Sequence, residues 1–166
     1  MSNQSEHIQL INTPIGVMQL GFNVKLELVA AEFKESNKSI SNVSVNEIQE
    51  IKNAITQLTE YFEGTRTSFD LKLAPDGTDF QKRVWKQLQE IPFAKTTSYQ
   101  KMANALGDPK VIRAAASANG KNPIAIIIPC HRVIGSDGSL TGYASGLHRK
   151  KWLLDHENPV KQQSLF

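Results

Sequence analysis

Ile124-Ala125-Ile126-Ile127-Ile128 is the longest apolar run in the chain, and it stops at Pro129. The run is far too short to cross a bilayer, which takes roughly 20 residues. Its β-branched composition reads as a buried strand, so the rest of the chain has to cover it. The segment then delivers the only cysteine, Cys130, followed at once by His131 and Arg132. A lone cysteine can form neither an internal disulfide nor a cysteine-rich zinc site, and it points to a reducing, cytoplasmic setting. A free thiol, with a pKa of about 8.5, is mostly protonated at neutral pH and becomes a nucleophile only beside a base or a cation. This stretch offers both.

The 166 residues suit one compact domain, or a medium domain with a smaller appendage, and 40% hydrophobic with 21% charged residues is ordinary for a soluble globular protein. Met1 to Gln9 is polar, with no basic start and no apolar core of a signal peptide. Charge is divided unevenly. Residues 1–74 hold six Lys/Arg against nine Asp/Glu, and residues 75–166 hold thirteen against seven, a net of +6. The second half could carry a solvated surface of no consequence or a face that meets phosphate; charge alone leaves both open.

His7 to Thr13, Gly16 to Phe22 and Val24 to Phe33 read as three strands of an antiparallel meander, divided by Pro14/Gly16 and Gly21/Asn23. Glu35 to Val43 reads as a loop. Ser44 and Glu47 form a capping box before Ile48, Ile51, Ile55, Leu58 and Phe62, whose spacing predicts one amphipathic helix ending at Gly64. Residues 1–74 are therefore expected to form a small α+β domain without catalytic groups. Thr65 to Asp79 reads as the linker and includes a strand candidate, Phe69 to Leu73.

Residues 75–166 read as mainly helical. Thr78 and Gln81 box the start of a helix bearing Phe80, Val84, Leu88 and Ile91, closed by Pro92. Thr97 and Gln100 look like a further box, opening a helix with Met102, Ala105 and Leu106 that Gly107 stops. Asp108 caps the next helix and Pro109 occupies its first turn, giving a helix of about 109–118. Two short helices around Gly107-Asp108 have the shape of a helix-turn-helix. In the second, small residues could mean close packing in a core, but Lys110 and Arg113 share a face and favour nucleic acid. Asn119 to Pro123 reads as a turn, and Gly135 to Gly146 as a flexible stretch with four glycines. A last helix, roughly 145–157, carries Leu147, Trp152, Leu153 and Leu154, ends at Asn158-Pro159, and leaves a mobile terminus.

Taken singly, Cys130 is more simply a buried structural thiol and His131 an ordinary histidine. Their adjacency after a proline argues for one pocket. A Cys/His pair needs a third group to orient the imidazole, and Glu157 is the candidate, with Asp155 and His156 as rivals.

With these residues in place, Ile128-Pro129-Cys130-His131-Arg132-Val133 resembles the active-site motif of the O6-alkylguanine-DNA alkyltransferases. The resemblance runs from about Phe80 to Glu157. It takes in Ser98-Tyr99, Arg113-Ala114, Asn122-Pro123, Gly142-Tyr143 and Leu153-Leu154-Asp155-His156-Glu157, in the right order and spacing. Ala94 and Ala116 stand where such proteins commonly have glycine.

The resemblance implies an α+β architecture, with a ribonuclease H-like domain over 1–74 and a winged-helix-like domain with a helix-turn-helix over 75–166. It implies direct repair of DNA without a cofactor, in a single event per molecule. Cys130 would take the alkyl group from O6-alkylguanine, and also from O4-alkylthymine. His131 would be its base, through a water, Glu157 the orienting carboxylate, Tyr99 the proton donor to the departing guanine, and Asn122 the brace of the turn. Arg113, Ala114, Lys110, Ser98, Tyr99 and Arg132 would contact double-stranded DNA, with Arg113 filling the place of a flipped nucleotide from the minor groove. Val133, Gly142, Tyr143 and Ala144 would line the base pocket. No metal, no membrane and a monomer are expected. The competing readings are a DNA-binding module without chemistry, a regulatory alkyltransferase, and a Cys-His hydrolase; the last predicts turnover.

Overall fold

The computed structural model describes residues 5–35 and 47–158. Ser44, the expected loop from residue 36 to 43, Pro159 and the terminus after it lie outside the described residues. The chain makes two compact units. One comprises Met1–Asp76 with Pro123–Ile127, and the other Gly77–Asn122 with Ile128–Phe166. No helix among the described residues is long and apolar enough to cross a membrane.

In the first unit, β1 (His7–Thr13) and β2 (Gly16–Phe22) form the antiparallel hairpin that the alternation predicts, and β3 (Leu28–Phe33) adds to β2. The third strand begins at Leu28 rather than Val24. The Asn23 carboxamide accepts from the backbone N–H of Lys25 (3.0 Å) and Glu27 (2.9 Å), which folds 23–27 into a turn. Val24 is left 67% exposed. Helix α1 (Gln49–Glu63) starts later than its sequence signal, on Ile48 with no side-chain cap. It buries Ile51, Ala54, Leu58 and Tyr61, so the inward stripe is rotated from the expected Ile48, Ile55 and Phe62. With Met18, Leu20, Phe22 and Leu28, Ile51 and Leu58 are among the large buried apolar residues of the unit, each contributing about 1.5–3 kcal/mol. Phe69 to Leu73 makes only a single bridge, Leu73 beside Leu28.

The apolar run before Pro129 is buried as expected but is not a strand. Ala31 N–H donates to Pro123 O and Ala125 N–H donates to Ala31 O, both at 2.9 Å, and the chain then turns. Ile126 sits at φ 73°. This left-handed conformation is rare for a β-branched residue and costs on the order of 1–3 kcal/mol. Burial, not extended pairing, is what the five apolar residues satisfy here.

In the second unit, α2 (Asp79–Leu88) opens with the full Thr78/Gln81 capping box and buries Val84, Trp85 and Leu88. Next, β4 (Thr97–Ser98) pairs in parallel with β5 (Val133–Ile134). Thr97 is thus part of a strand, and Ser98 instead caps α3 (Tyr99–Ala105), accepting from Lys101 N–H at 3.1 Å. Gly107, at φ 99°, ends the helix, and Asp108 accepts from Lys110 N–H at 2.9 Å. A 3₁₀ turn, Pro109–Val111, leads into α4 (Ile112–Gly120), which continues through Asn119 and Gly120 where a turn was expected. Helices α3 and α4 form the helix-turn-helix.

Helix α5 (Leu147–Glu157) buries Leu153 as expected, leaves Trp152 and Leu154 part-buried, and otherwise departs from its expected pattern. Leu147 is 48% exposed, whereas Arg149, Lys150, Leu153 and Glu157 face inward.

The Trp85 indole N–H donates to Ala118 O at 2.8 Å inside the unit and ties α2 to the end of α4. Trp85→Phe keeps most of the apolar volume but removes this bond, leaving Ala118 O with the Lys121 N–H at 3.2 Å. It is expected to lower unfolding stability by about 0.5–1.5 kcal/mol in urea titration; an unchanged midpoint would show that the bond does not hold α4 in place.

Candidate active site

Pro129 (φ −82°, ψ 63°) leaves the extended path, and Cys130–Arg132 form a three-residue 3₁₀ turn. In an extended strand Cys130 and His131 would point to opposite faces; in a turn with three residues per repeat they diverge by about 120°. The turn is pinned from behind, because Ile128 O accepts from both Cys130 N–H and the Asn122 side-chain amide, each at 2.8 Å. The Asn122 carboxamide also hydrogen-bonds the Cys130 thiol.

His131 is fully buried and its Nε2 lies 2.7 Å from Glu157 Oε2. Glu157, 2% exposed, also accepts from Arg132: Nε to Oε1 at 2.8 Å and Nη2 to Oε2 at 3.1 Å. Arg132 spends a third donor on Ile91 O at 2.7 Å, and its guanidinium lies 5.8 Å from the Phe93 ring centre. The rivals for the orienting role are occupied elsewhere. Asp155 pairs with Lys151 at 2.9 Å in solvent, and the His156 ring stacks on Trp152. Arg132 was expected at the DNA; it is buried instead, because only a fixed cation makes an anion at the end of a helix tolerable in this interior.

Burial alone would raise the Glu157 carboxyl. Hydrogen bonds and charge from His131 and Arg132 outweigh it and bring the carboxyl down to about 2. Burial pushes the His131 imidazole below its ordinary value, against the pull of Glu157. It pushes the Cys130 thiol up, while the Asn122 hydrogen bond and the Lys150 charge pull it down. At neutral pH the cluster is therefore a thiol, a neutral imidazole and a carboxylate. A carboxylate can only accept, so the imidazole proton sits on Nε2. Nδ1 carries the lone pair, and it is buried with no hydrogen-bond partner.

Tyr99 stands at the start of α3. Its hydroxyl donates to Thr141 O at 3.0 Å, and the Asn119 side chain favours its ionised form. Burial raises its ionisation point. Gly142, at φ 69°, passes so close that a Cβ there would come 3.0 Å from the Tyr99 hydroxyl oxygen. Of the other residues expected at the base, Val133 is buried in β5, Tyr143 is buried with its hydroxyl unpartnered, and Ala144 is exposed. Lys110, Arg113 and Ala114 are exposed together along the 3₁₀ turn and α4, while Ala115, Ala118 and Asn119 form the buried side of that helix. Ser98 has its hydroxyl engaged in the α3 cap. Ala94, at φ 67°, adopts a left-handed turn conformation that would cost a glycine nothing.

Sequence reasoning missed Lys150 and Asn119. Lys150 precedes Glu157 by seven residues and so shares its helix face, a signal that was present in the sequence. Nothing in the spacing marked Asn119, which looked like the first residue of a turn. Among the described residues no cluster of three or more His, Cys, Asp or Glu is placed to hold a metal ion.

Two family models match the chain end to end. Residues 7–75 match the ribonuclease-like domain of 6-O-methylguanine DNA methyltransferase, and residues 79–159 match its DNA-binding domain. A methylated-DNA–protein-cysteine methyltransferase of Methanosarcina barkeri is 50% identical over 153 residues, covering 91% of this chain and 96% of its own. One from Mycobacterium tuberculosis is 42% identical over 151 residues, covering 91% and 92%. Among solved structures, Mycobacterium tuberculosis OGT in complex with DNA superposes with a TM-score of 0.81 at 40% identity, covering 96% of this chain and 99% of that one. With both halves matched and the thiol, imidazole and carboxylate assembled as described, the chain belongs to the methylated-DNA–protein-cysteine methyltransferase family.

Proposed function

We propose that this protein repairs alkylated double-stranded DNA by moving an alkyl group from guanine O6 onto Cys130, once per molecule. The observation that carries the reading is the buried relay behind the thiol: a carboxylate held ionised by Arg132, an imidazole whose proton that carboxylate fixes on Nε2, and an unpartnered Nδ1. The raised thiol cannot supply a thiolate unaided at neutral pH. His131 Nδ1 takes its proton, through a bridging water, and Glu157 stabilises the resulting imidazolium. The sulfur then forms a bond to the alkyl carbon as the carbon–O6 bond breaks, and the guanine accepts a proton from the Tyr99 hydroxyl as it departs. The product is a thioether, and no group in the site is suited to cleave it. O4-alkylthymine offers the same electrophilic carbon and is a second substrate.

The target carbon is shielded inside a duplex, so the nucleotide has to leave the stack at a cost of a few kcal/mol. The exposed Lys110-Arg113-Ala114 face of the helix-turn-helix suits that task. Small residues admit the helix to the minor groove, Arg113 fills the vacated place, and the basic balance of residues 75–166 attracts phosphate. Val133, Gly142, Tyr143 and Ala144 shape the pocket for the base, and Asn122 braces the turn that carries the thiol. The protein acts as a monomer in the cytoplasm, with residues 1–74 as its first domain and 75–166 as its reactive one.

Incubation with duplex DNA containing O6-methylguanine should add one methyl to Cys130 and restore guanine, as read by intact mass and a peptide map. A protein that stays unmodified on such DNA, or that turns over repeatedly, would exclude this function. Arg113→Ala should slow transfer more in a duplex than in a single strand; equal losses would remove the residue from flipping.

Glu157→Gln leaves Arg132 buried without its counter-charge and frees the imidazole tautomer. It should cost roughly 3–5 kcal/mol of stability and about 10²-fold or more in transfer rate; a folded variant with an unchanged rate would remove Glu157 from the relay. Because burial lowers the His131 pKa, the imidazole stays neutral and basic somewhat below pH 6.5, and only further acidification protonates it. The acid limb of the transfer rate should therefore fall below 6.5. A limb above that value would mean that another group is the base.

A further inference from the structure

Arg132, Arg149 and Lys150 are all buried in the second unit. Arg132 is neutralised by Glu157. Lys150 is different. Its side chain is completely covered, its ammonium donates to Val133 O at 2.6 Å and to Thr141 O at 2.7 Å, and it lies 5.9 Å from the centre of the Tyr99 ring. Among the described residues no carboxylate lies within ion-pair reach of it. Two carbonyls satisfy its hydrogen bonds but do not cancel its charge, and an uncompensated buried ion costs several kcal/mol. Burial holds the amine down at about 8, against an ordinary 10.5.

The groups around this cation narrow its purpose. Glu157 is already matched by Arg132, His131 is neutral at rest, and Arg149 donates to Ser145 O at 2.8 Å. Tyr99 and Tyr143 are both held as neutral phenols by burial. Cys130 interacts electrostatically with Lys150, and it is the group that has to become an anion for an alkyl transfer. The carbonyls that hold Lys150 belong to β5, which follows the Cys130 turn, and to the loop that receives the Tyr99 hydroxyl. The cation is therefore fixed in place before any proton moves.

Resting on the alkyl-acceptor reading, we infer that Lys150 is a positioning residue whose ammonium is the standing counter-charge for the Cys130 thiolate, and that its own counter-ion arrives only when the thiol ionises. The thiol proton goes to His131, and the Lys150 proton stays where it is. A preorganised charge of this kind favours the ionised nucleophile without reorganisation at the moment of reaction. It also links the thiol to Tyr99 through Thr141 O, which both donors share.

Because Cys130 is the only cysteine, its ionisation can be read without DNA, as the pH dependence of its alkylation by iodoacetamide. Lys150→Met removes charge and donors, Lys150→Gln keeps a neutral donor, and Lys150→Arg keeps the charge; thermal melts establish that each is folded. Methionine and glutamine should both move the alkylation midpoint upward by about one pH unit and slow reaction about tenfold near neutral pH, whereas arginine should stay within about threefold of wild type. A glutamine variant with the wild-type profile would reduce Lys150 to a hydrogen-bonding strut and overturn the inference.

Should the variants not fold, lysine ¹⁵N NMR on the wild-type protein decides. At a pH where Cys130 has ionised the Lys150 amine should still carry its proton, whereas at the same pH after methylation of Cys130 it should have lost it; loss of the proton in both states overturns the inference. Methyl transfer from O6-methylguanine duplex is measured in parallel. Absence of transfer by wild type defeats the repair reading, whereas transfer by wild type with unshifted variant profiles defeats only the role of Lys150.

Discussion

The structure of the reactive unit depends on one ion pair taken out of water. Arg132 grips Glu157 through two nitrogens and reaches Ile91 O with a third. The 3₁₀ turn that presents the thiol is thereby fastened both to the end of α5 and to the chain just after α2. Such a pair is a poor source of net stability, since desolvation consumes most of the attraction. Its value is in specification. Glu157 stays ionised against both burial and the helix dipole, the proton of His131 has one place to sit, and the other imidazole nitrogen is left as an acceptor. Removing either partner would do more than weaken the fold; it would scramble which nitrogen is basic.

Much of this was legible in the sequence, for identifiable reasons. β1 and β2 were read residue for residue because their alternation is regular and their turns carry strong breakers. The Thr78/Gln81 box and the Asp108-Pro109 start are local chemistry, and local chemistry survives folding. Glu157 was anticipated beside His131 because a base needs an orienter, and the two lie 2.7 Å apart. Each failure had the opposite cause, a tertiary demand that no short window contains. Ile124 to Ile128 has the composition of a strand, yet it turns through a left-handed isoleucine. The start of β3 was displaced by a carboxamide that binds its own backbone.

Helix α5 is the clearest case. A pattern reader places leucines inside and charges outside, and here Leu147 is exposed while Arg149, Lys150 and Glu157 are covered. Ionic side chains occupy positions that hydrophobic ones would normally hold, because this helix lines a reacting centre as well as a core. Arg132 was misplaced for the same reason: an arginine in a basic half looks like a phosphate ligand until its partner is seen. Where local rules break at a functional site, the breakage itself is informative.

The excursion of residues 123–127 has a consequence for how the protein can be divided. The reactive turn is confined to one compact unit, but the five residues just ahead of its Ile128 anchor belong to the other, bonded on both sides of Ala31. A fragment begun at Gly77 would contain every group of the relay and still be incomplete. It would carry three isoleucines and an alanine outside the unit that buries them, and it would have two unmade backbone bonds a few residues upstream of the thiol. The boundary drawn by sequence order is thus not a line along which the molecule can be cut.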